Sequence, residues 1–290
     1  MFQSLISLLL ASALSFSSVQ TETEVHFDAK SLLSISPLPI QKEDMVSPGD
    51  LYAKTALAID LDTQSILYEK NSYDRRPIAS LTKLMTAYVI LKESDPSSIV
   101  TVSDHAARTE GSRMGLVTGE QISVRNLLYG LLIESGNDAA VALAEFNAGD
   151  EASFIKKMND EAENLGLENT HYANTTGLDN QNSYSTAHDL LVLSSHLLKD
   201  DGVREIVKNS SYEVTGENGE VHQLKNTNIL LGQLGIEGMK TGTTPSAGEC
   251  LLSLAKNPEG HEILTVVLGS SDRFIDTKIL VDWIYRAYTW

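Results

Sequence analysis

The chain has 290 residues, of which 42% are apolar and 21% are charged, a composition typical of a folded protein rather than a disordered chain or a membrane bundle. Its formal net charge of −17 excludes nucleic acid as a partner class, because the phosphate backbone would be repelled. The only cysteine, Cys250, excludes an intrachain disulfide, and the apolar run after it indicates a core residue rather than a nucleophile.

The N-terminus carries a candidate targeting segment. Residues 1–21 have no charged side chain, and their apolar centre has the length of a signal-peptide core rather than of a membrane span. We therefore predict export to the periplasm or cell envelope, with residues 1–21 as a signal peptide or, alternatively, as an uncleaved N-terminal membrane anchor. Residues 22–50 are polar and interrupted by prolines, which predicts a linker. The folded domain is predicted to span residues 51–290.

Strand patterns lie at both ends of this predicted domain, with helical patterns between them. An alternating run at 55–61 and another at 64–70 predict a hairpin. Helices are predicted at 79–91, 124–146, 154–167, from the capping box at 186–189 onward, and at 272–288. Further strands are predicted at 212–216, 236–242, 249–255 and 263–269. This order predicts an α+β fold, in which a mainly antiparallel sheet flanked by helices meets an all-helical lobe and the active site lies between them.

The helix predicted at 79–91 carries a serine and a lysine on one face. Ser80 and Lys83 are three residues apart in an otherwise apolar run, so both are expected to be largely buried. A buried lysine is costly unless it is paired or used. A serine hydroxyl needs an adjacent base to act as a nucleophile, and lysine serves as that base only where burial or a second cation lowers its pKa. The pair is therefore either catalytic or a chance feature of the sequence.

The spacing Ser-x-x-Lys is weak evidence by itself, because Ser153–Lys156 and Ser253–Lys256 share it. Ser80 differs in the motifs that follow it. A single Ser-Gly-Asn, at 135–137, lies in the predicted helical lobe, and a single Lys-Thr-Gly, at 240–242, lies on a predicted strand. The three elements are therefore expected to meet at the boundary of lobe and sheet.

The segments PIASLTKLMTA, ESGNDAAVALAE and GMKTGTTPSAGECLL resemble the three signatures of the low-molecular-mass penicillin-binding proteins, the serine D-alanyl-D-alanine carboxypeptidases. The resemblance extends from Leu51 to the C-terminus, through connecting segments such as NTTGLD. It implies a β-lactamase/transpeptidase-like fold and removal of the terminal D-alanine from peptidoglycan stem peptides. It also implies covalent inhibition by β-lactams, and it implies no metal and no cofactor.

The resemblance also implies a role for each motif residue in catalysis. Ser80 would be the acylated nucleophile and Lys83 the base that accepts its proton. Ser135 would relay a proton between Lys83 and the leaving group. The backbone N–H groups of Ser80 and Thr243 would form the oxyanion hole.

Four further positions are implied to bind the substrate. Asn137 would hydrogen-bond the peptide backbone, while Lys240 and Thr241 would hold the terminal carboxylate. Gly242 would let its strand approach the nucleophile closely. Thr243 departs from the family pattern, in which a larger His or Tyr is common, so the shape of the cleft mouth stays open.

Other functions compete with this hypothesis. A class A β-lactamase shares the fold and motif order, but it needs a Glu-x-x-x-Asn loop between the second and third motifs. Neither Glu163-Asn-Leu-Gly-Leu nor Glu168-Asn-Thr-His-Tyr fits that pattern, whereas NTTGLD fits the peptidase pattern. A non-catalytic wall-binding protein would keep the fold without turnover. A transpeptidase or endopeptidase would use the same residues, so both stay open. The end of the chain at Trp290 predicts no C-terminal β-domain, which leaves the N-terminus as the possible membrane tether.

Overall fold

The computed structural model describes residues 37–45 and 47–290. The predicted signal or anchor segment lies outside these residues, as does part of the predicted linker. The strands are β1 Ile40–Gln41, β2 Thr55–Asp60, β3 Ile66–Lys70, β4 Ile99–Thr101, β5 Gln121–Ser123, β6 Ser211–Thr215, β7 Val221–Lys225, β8 Lys240–Thr244, β9 Gly248–Lys256, β10 Glu262–Ser270 and β11 Tyr288–Thr289. The α-helices are α1 Lys83–Glu93, α2 Asp104–Ala107, α3 Val124–Tyr129, α4 Asn137–Ala148, α5 Glu151–Asn164, α6 Ala187–Leu197, α7 Asp201–Val207 and α8 Arg273–Ala287.

An antiparallel sheet in the order β3-β2-β10-β9-β8 organises the domain. Successive residues of a strand point to opposite faces, and both faces of this sheet are buried. In β2, Leu57 and Ile59 join the core under the helices, whereas Ala56 and Ala58 join a second core that includes Leu280 of α8. Helix α8 therefore covers one face, and α6 packs on the other. This arrangement confirms the predicted α+β fold.

The hairpin predicted at the start of the domain is β2 and β3, which pair antiparallel. The side chain of Asp60 closes the turn by accepting a hydrogen bond of 2.7 Å from the backbone N–H of Thr63. The strands predicted at 249–255 and 263–269 are β9 and β10. Strand β7 was not predicted, because VHQLK alternates only weakly in hydrophobicity, yet it pairs with β6 as a separate two-stranded sheet.

The prediction of one helix over residues 124–146 is wrong. Helix α3 ends at Tyr129, a π-helical turn occupies Gly130–Glu134, and α4 begins only at Asn137. Ser135 lies in the break with left-handed backbone angles, φ 64° and ψ 33°. The apolar pattern runs through this break without interruption, so hydrophobic periodicity alone cannot reveal it. The break removes Ser135 from the regular helix and leaves it at a bend of the chain.

The described part of the predicted linker contacts the domain. Ile40 and Gln41 pair with Thr289 and Tyr288, which joins β1 to β11. A little further along, the carboxylate of Asp276 accepts hydrogen bonds from the backbone N–H groups that open the predicted domain, at residues 52 and 53. Across residues 37–45 and 47–290, none of the helices combines the length and apolarity needed to cross a membrane.

Candidate active site

Ser80 and Lys83 meet at the start of helix α1. Ser80 lies in a 3₁₀ turn, Ala79–Thr82, that leads directly into the helix at Lys83. The Lys83 Nζ is 3.0 Å from the Ser80 Oγ and donates a second hydrogen bond, of 2.6 Å, to the carbonyl oxygen of Thr176. Lys83 is fully buried, whereas Ser80 is partly exposed. The hydroxyl is thus accessible from the cleft while its neighbouring amine is shielded from water.

The surroundings of Lys83 favour its neutral form. Burial lowers the pKa of Lys83 well below its ordinary value, and the nearby charge of Lys240 lowers it further, while Asp138 acts in the opposite direction. A neutral amine offers a lone pair to the Ser80 proton at hydrogen-bonding distance. The pair can therefore generate a serine nucleophile.

Ser135 and Lys240 join the second and third motifs. The Lys240 Nζ donates hydrogen bonds to the Ser135 Oγ at 2.8 Å and to the Thr241 carbonyl oxygen at 3.0 Å. Burial lowers the pKa of Lys240 to about 7, and the charge of Arg273 contributes to this shift. The edge strand β8 therefore places a buried amine next to the Ser135 hydroxyl, and its charged form lies close enough to Lys83 to lower the pKa of that lysine.

Asn137 is the first residue of α4 and is buried, with 3% exposure. Its Nδ2 donates a hydrogen bond of 2.6 Å to the carbonyl oxygen of Glu110, and its backbone N–H donates one of 2.7 Å to that of Ser112. A Cβ atom on Gly111 would lie 2.6 Å from the same Nδ2, so only glycine fits there. Asn137 thus fixes the loop at 110–112, and its predicted contact with substrate stays a prediction.

The rest of the third motif passes close to the nucleophile. A Cβ atom on Gly242 would lie 2.9 Å from the Ser80 backbone nitrogen, so glycine allows β8 to pass close to the serine turn. The Thr241 Oγ1 lies 2.6 Å from the Thr227 Oγ1. Thr243 follows Gly242 on the same strand, at the exposed end of the motif. All eight predicted site residues therefore lie on three elements that meet at one cleft.

Arg273 is a site residue that the sequence reasoning missed. It is the first residue of α8, and its Nη1 donates to the carbonyl oxygen of Gly242 at 3.0 Å and to the side chain of Thr243. Burial lowers its pKa from the ordinary arginine value. Nothing local in the sequence around Arg273 marks it, because its position depends on how α8 packs on the sheet. It adds a second positive charge beside the third motif.

The loop after α5 holds the serine turn from the other side. Gly177 has φ +83°, and a Cβ atom there would lie 2.0 Å from the carbonyl oxygen of Ala79. Ala79 itself has φ 48°, a left-handed conformation that is unfavourable for a residue with a Cβ. The Thr175 carbonyl oxygen accepts a hydrogen bond of 2.9 Å from Thr86 of α1. The segment NTTGLD carried a signal for this loop, although its contacts could not be read from the sequence.

A cavity of about 600 Å³ opens beside this loop and the loop that Asn137 holds. Its lining residues are Asp104, His105, Arg108, Thr109, Glu110, Val141, Glu151, Asn174, Thr176 and Leu178. Thr176 and Glu110 are the residues whose carbonyl oxygens accept hydrogen bonds from Lys83 and Asn137. The cavity therefore lies next to the candidate catalytic groups, and it offers space for a larger ligand.

Comparison with known proteins gives a consistent result. A family model described as D-alanyl-D-alanine carboxypeptidase, Peptidase_S11, matches residues 42–272. The D-alanyl-D-alanine carboxypeptidase DacF of Bacillus subtilis (strain 168) is 37% identical over 268 residues, which cover 89% of this chain and 69% of the relative. The D-alanyl-D-alanine carboxypeptidase of Streptomyces sp. (strain K15) is 36% identical, with 83% of this chain and 88% of the relative covered.

A solved structure shows the same similarity. The crystal structure of the Streptomyces K15 DD-transpeptidase superposes with a TM-score of 0.77 at 34% identity, covering 83% of this chain and all of the other. The similarity therefore extends over the fold of most of this chain.

Proposed function

The chain belongs to the Peptidase_S11 family of D-alanyl-D-alanine carboxypeptidases and is an enzyme of that class, and from this premise we propose that it removes the terminal D-alanine of peptidoglycan stem peptides through an acyl-enzyme on Ser80. One observation carries the proposal. The buried Lys83 amine, with its lowered pKa, lies 3.0 Å from the Ser80 hydroxyl.

The reaction follows from this geometry. Lys83 accepts the Ser80 proton as the Oγ attacks the carbonyl carbon of the penultimate D-alanine. The N–H groups of Ser80 and Thr243 stabilise the developing oxyanion. The proton then passes by way of Ser135 to the departing nitrogen, the C–N bond breaks, and D-alanine leaves. Water attacks the resulting ester, which releases the shortened peptide and restores the serine.

The positive charges next to the third motif support recognition of a terminal carboxylate. Lys240 and Thr241 would bind that carboxylate, and Arg273 supplies a further positive charge near it. The side-chain carbonyl of Asn137 would accept a hydrogen bond from the substrate backbone, because its Nδ2 is directed to Glu110. A β-lactam carries a carboxylate next to a reactive amide in the same way, so penicillin would acylate Ser80 as a substrate mimic.

Transpeptidation is a second candidate outcome of the same acyl-enzyme. The similar Streptomyces K15 protein is named a DD-transpeptidase, which supports this alternative. In that case an amine of a second peptide, rather than water, would attack the ester. The chemistry on Ser80 up to that point is identical.

The location of the enzyme follows from its substrate. Peptidoglycan lies outside the cytoplasm, so the enzyme would act in the periplasm or cell envelope. Residues 1–21 would direct its export or anchor it, residues 22–50 would form the linker, and residues 51–290 would form the peptidase domain. The strand pair β1–β11 adds part of the linker to that domain.

Intact-mass spectrometry tests the proposal. The purified protein is incubated with benzylpenicillin and followed over time, while D-alanine release from a D-Ala-D-Ala peptide is measured in parallel. We expect a long-lived adduct that peptide mapping locates at Ser80, together with D-alanine release. A rapidly lost adduct with hydrolysed penicillin would indicate a β-lactamase instead. No adduct and no release would indicate a wall-binding protein, whereas a product carrying an added acceptor amine would indicate transpeptidation.

A further inference from the structure

A buried histidine–glutamate pair lies outside the three motifs. His222 is on β7 and Glu120 precedes β5, and their side chains are 5% and 0% exposed. The His222 Nε2 lies 2.7 Å from the Glu120 Oε1, and the His222 Nδ1 lies 3.2 Å from the carbonyl oxygen of Met114. The imidazole ring therefore connects the β6–β7 hairpin to the chain that runs from Met114 to Glu120.

The partners of His222 fix the orientation of its ring. A carbonyl oxygen only accepts hydrogen bonds, so the Nδ1 facing Met114 carries a hydrogen and donates it. The Glu120 Oε2 accepts a hydrogen bond of 3.1 Å from the backbone N–H of Val117. One hydrogen between the His222 Nε2 and the Glu120 Oε1 completes the contact, so both ring nitrogens have a partner.

The loop that His222 contacts also holds the second motif. The backbone N–H groups of residues 114–116 all donate to the carboxylate of Asp138, at 2.9 to 3.0 Å. Asp138 follows Asn137, whose own N–H donates to Ser112. The Ser112 hydroxyl donates a hydrogen bond of 2.8 Å to the carbonyl oxygen of Glu134, the residue before Ser135. The loop thus has the second motif on one side and His222 on the other.

The chain that carries His222 is attached to the cleft at two further points. The Lys225 N–H donates a hydrogen bond of 2.6 Å to the carboxylate of Glu134. Thr227 donates its N–H to the carbonyl oxygen of Ile133 at 3.3 Å, and its hydroxyl lies 2.6 Å from that of Thr241. Movement of β7 relative to the loop would therefore displace residues next to both the second and the third motif.

We propose that the buried His222–Glu120 pair positions Ser135 and Asn137 for acyl transfer by holding the 112–116 loop against β7. This inference rests on the proposed function, because it assigns these two residues to the reaction. His222 and Glu120 are positioning residues, since they touch neither the nucleophile nor its base. Loss of the hydrogen bond between His222 and Glu120 would release the loop from β7.

Single-turnover kinetics test this proposal on the unaltered protein and on a variant of His222. Acylation by benzylpenicillin is followed at several penicillin concentrations, which separates the rate constant of acylation from the affinity of the first complex. We expect loss of the His222 side chain to lower the rate constant and to change that affinity much less, because the displaced groups act in the chemical step. An unchanged rate constant, or a loss confined to affinity, would overturn the proposal.

Two variants separate positioning from folding. His222→Gln is expected to slow acylation by about tenfold or more, the scale of a small displacement of catalytic groups, with an unchanged far-ultraviolet spectrum. His196→Gln is the matched control, because the hydrogen bond that the His196 ring makes in the described structure is to Val192 of its own helix, α6, and its loss should leave acylation unchanged. Glu120→Gln is the conservative variant, because its amide oxygen can accept from the Val117 N–H and its amide nitrogen can donate to the His222 Nε2, so it should retain most of the acylation rate. Wild-type acylation by His222→Gln would contradict positioning, whereas no acylation in the unaltered protein would contradict the proposed function itself.

Discussion

The three Ser-x-x-Lys segments of this chain share a spacing but have entirely different surroundings. At Ser80 the lysine is buried and bonded to the serine. At Ser153 the hydroxyl is bonded to Asp150, and the exposed Lys156 pairs with Asp160. The third copy lies on strand β9, where residues three apart point to opposite faces, so the two side chains cannot meet. Ser253 is buried in the middle of the strand, and Lys256 is exposed at its end. Of the three segments, the serine and lysine form a hydrogen bond to each other at Ser80, where the lysine is buried at the start of a helix.

Removal of the serine hydroxyl from one Ser-x-x-Lys segment at a time should give the largest difference among them. Ser80→Ala should lower D-alanine release by more than about 10⁴-fold and abolish penicillin labelling, because no nucleophile remains. Ser153→Ala should leave both within twofold or so, since Asp150 still caps α5 through the backbone N–H of residue 153. Labelling retained in Ser80→Ala and lost in Ser153→Ala would reverse the assignment.

Replacement of Lys240 tests whether a second positive charge helps to lower the pKa of Lys83. Its charge lowers the pKa of Lys83, so Lys240→Gln should raise that pKa and move the rising limb of the acylation rate to higher pH. It should also reduce kcat/KM for a peptide with a free carboxylate by roughly 10²-fold, since a charged contact is lost. Stopped-flow acylation from pH 5 to about 10 measures both effects.

Lys156→Gln is the matched control for this measurement. Lys156 is exposed and paired with Asp160 in the same helix. Its replacement should therefore change neither the pH dependence of acylation nor kcat/KM. If the acylation rate of Lys240→Gln rises at the same pH as that of the unaltered protein, burial alone sets the pKa of Lys83.

The support behind the serine turn is tested by a smaller change. Gly177→Ala places a methyl group 2.0 Å from the Ala79 carbonyl oxygen, in addition to the cost of φ +83°. We expect a loss of about 3 kcal/mol in unfolding free energy, from strain plus overpacking, together with slower acylation. Gly149 has φ +86° and open space around it, so Gly149→Ala isolates the strain at about 1 kcal/mol. Equal losses of unfolding free energy in the two variants would mean that the serine turn moves to accommodate the methyl group at no measurable cost. Denaturant unfolding measures both.

The sequence contained most of the site but little of what supports it. The motifs and the resemblance named Ser80, Ser135 and Lys240, and local patterns located the strands that carry the sheet. The π-helical break before Ser135 escaped prediction because GLLIE continues the apolar pattern of a helix. Arg273 escaped because its contact with Gly242 spans 31 residues and depends on the packing of α8. Local periodicity reports which face of an element is buried, whereas these features depend on which elements meet.

The smallest expected effect concerns the third copy of the pattern. The Ser253 hydroxyl is fully buried and has no hydrogen-bond partner among the described residues. An unpaired buried hydroxyl opposes folding, because its interactions with water are not replaced. Ser253→Ala should therefore leave acylation unchanged and raise the unfolding free energy by up to about 1 kcal/mol. A destabilisation larger than that would show that the hydroxyl makes a bond in solution, for example to Thr265, its neighbour on β10, whose hydroxyl also lacks a partner in the described structure. The same serine-lysine spacing would then be catalytic at Ser80 and structural on β9.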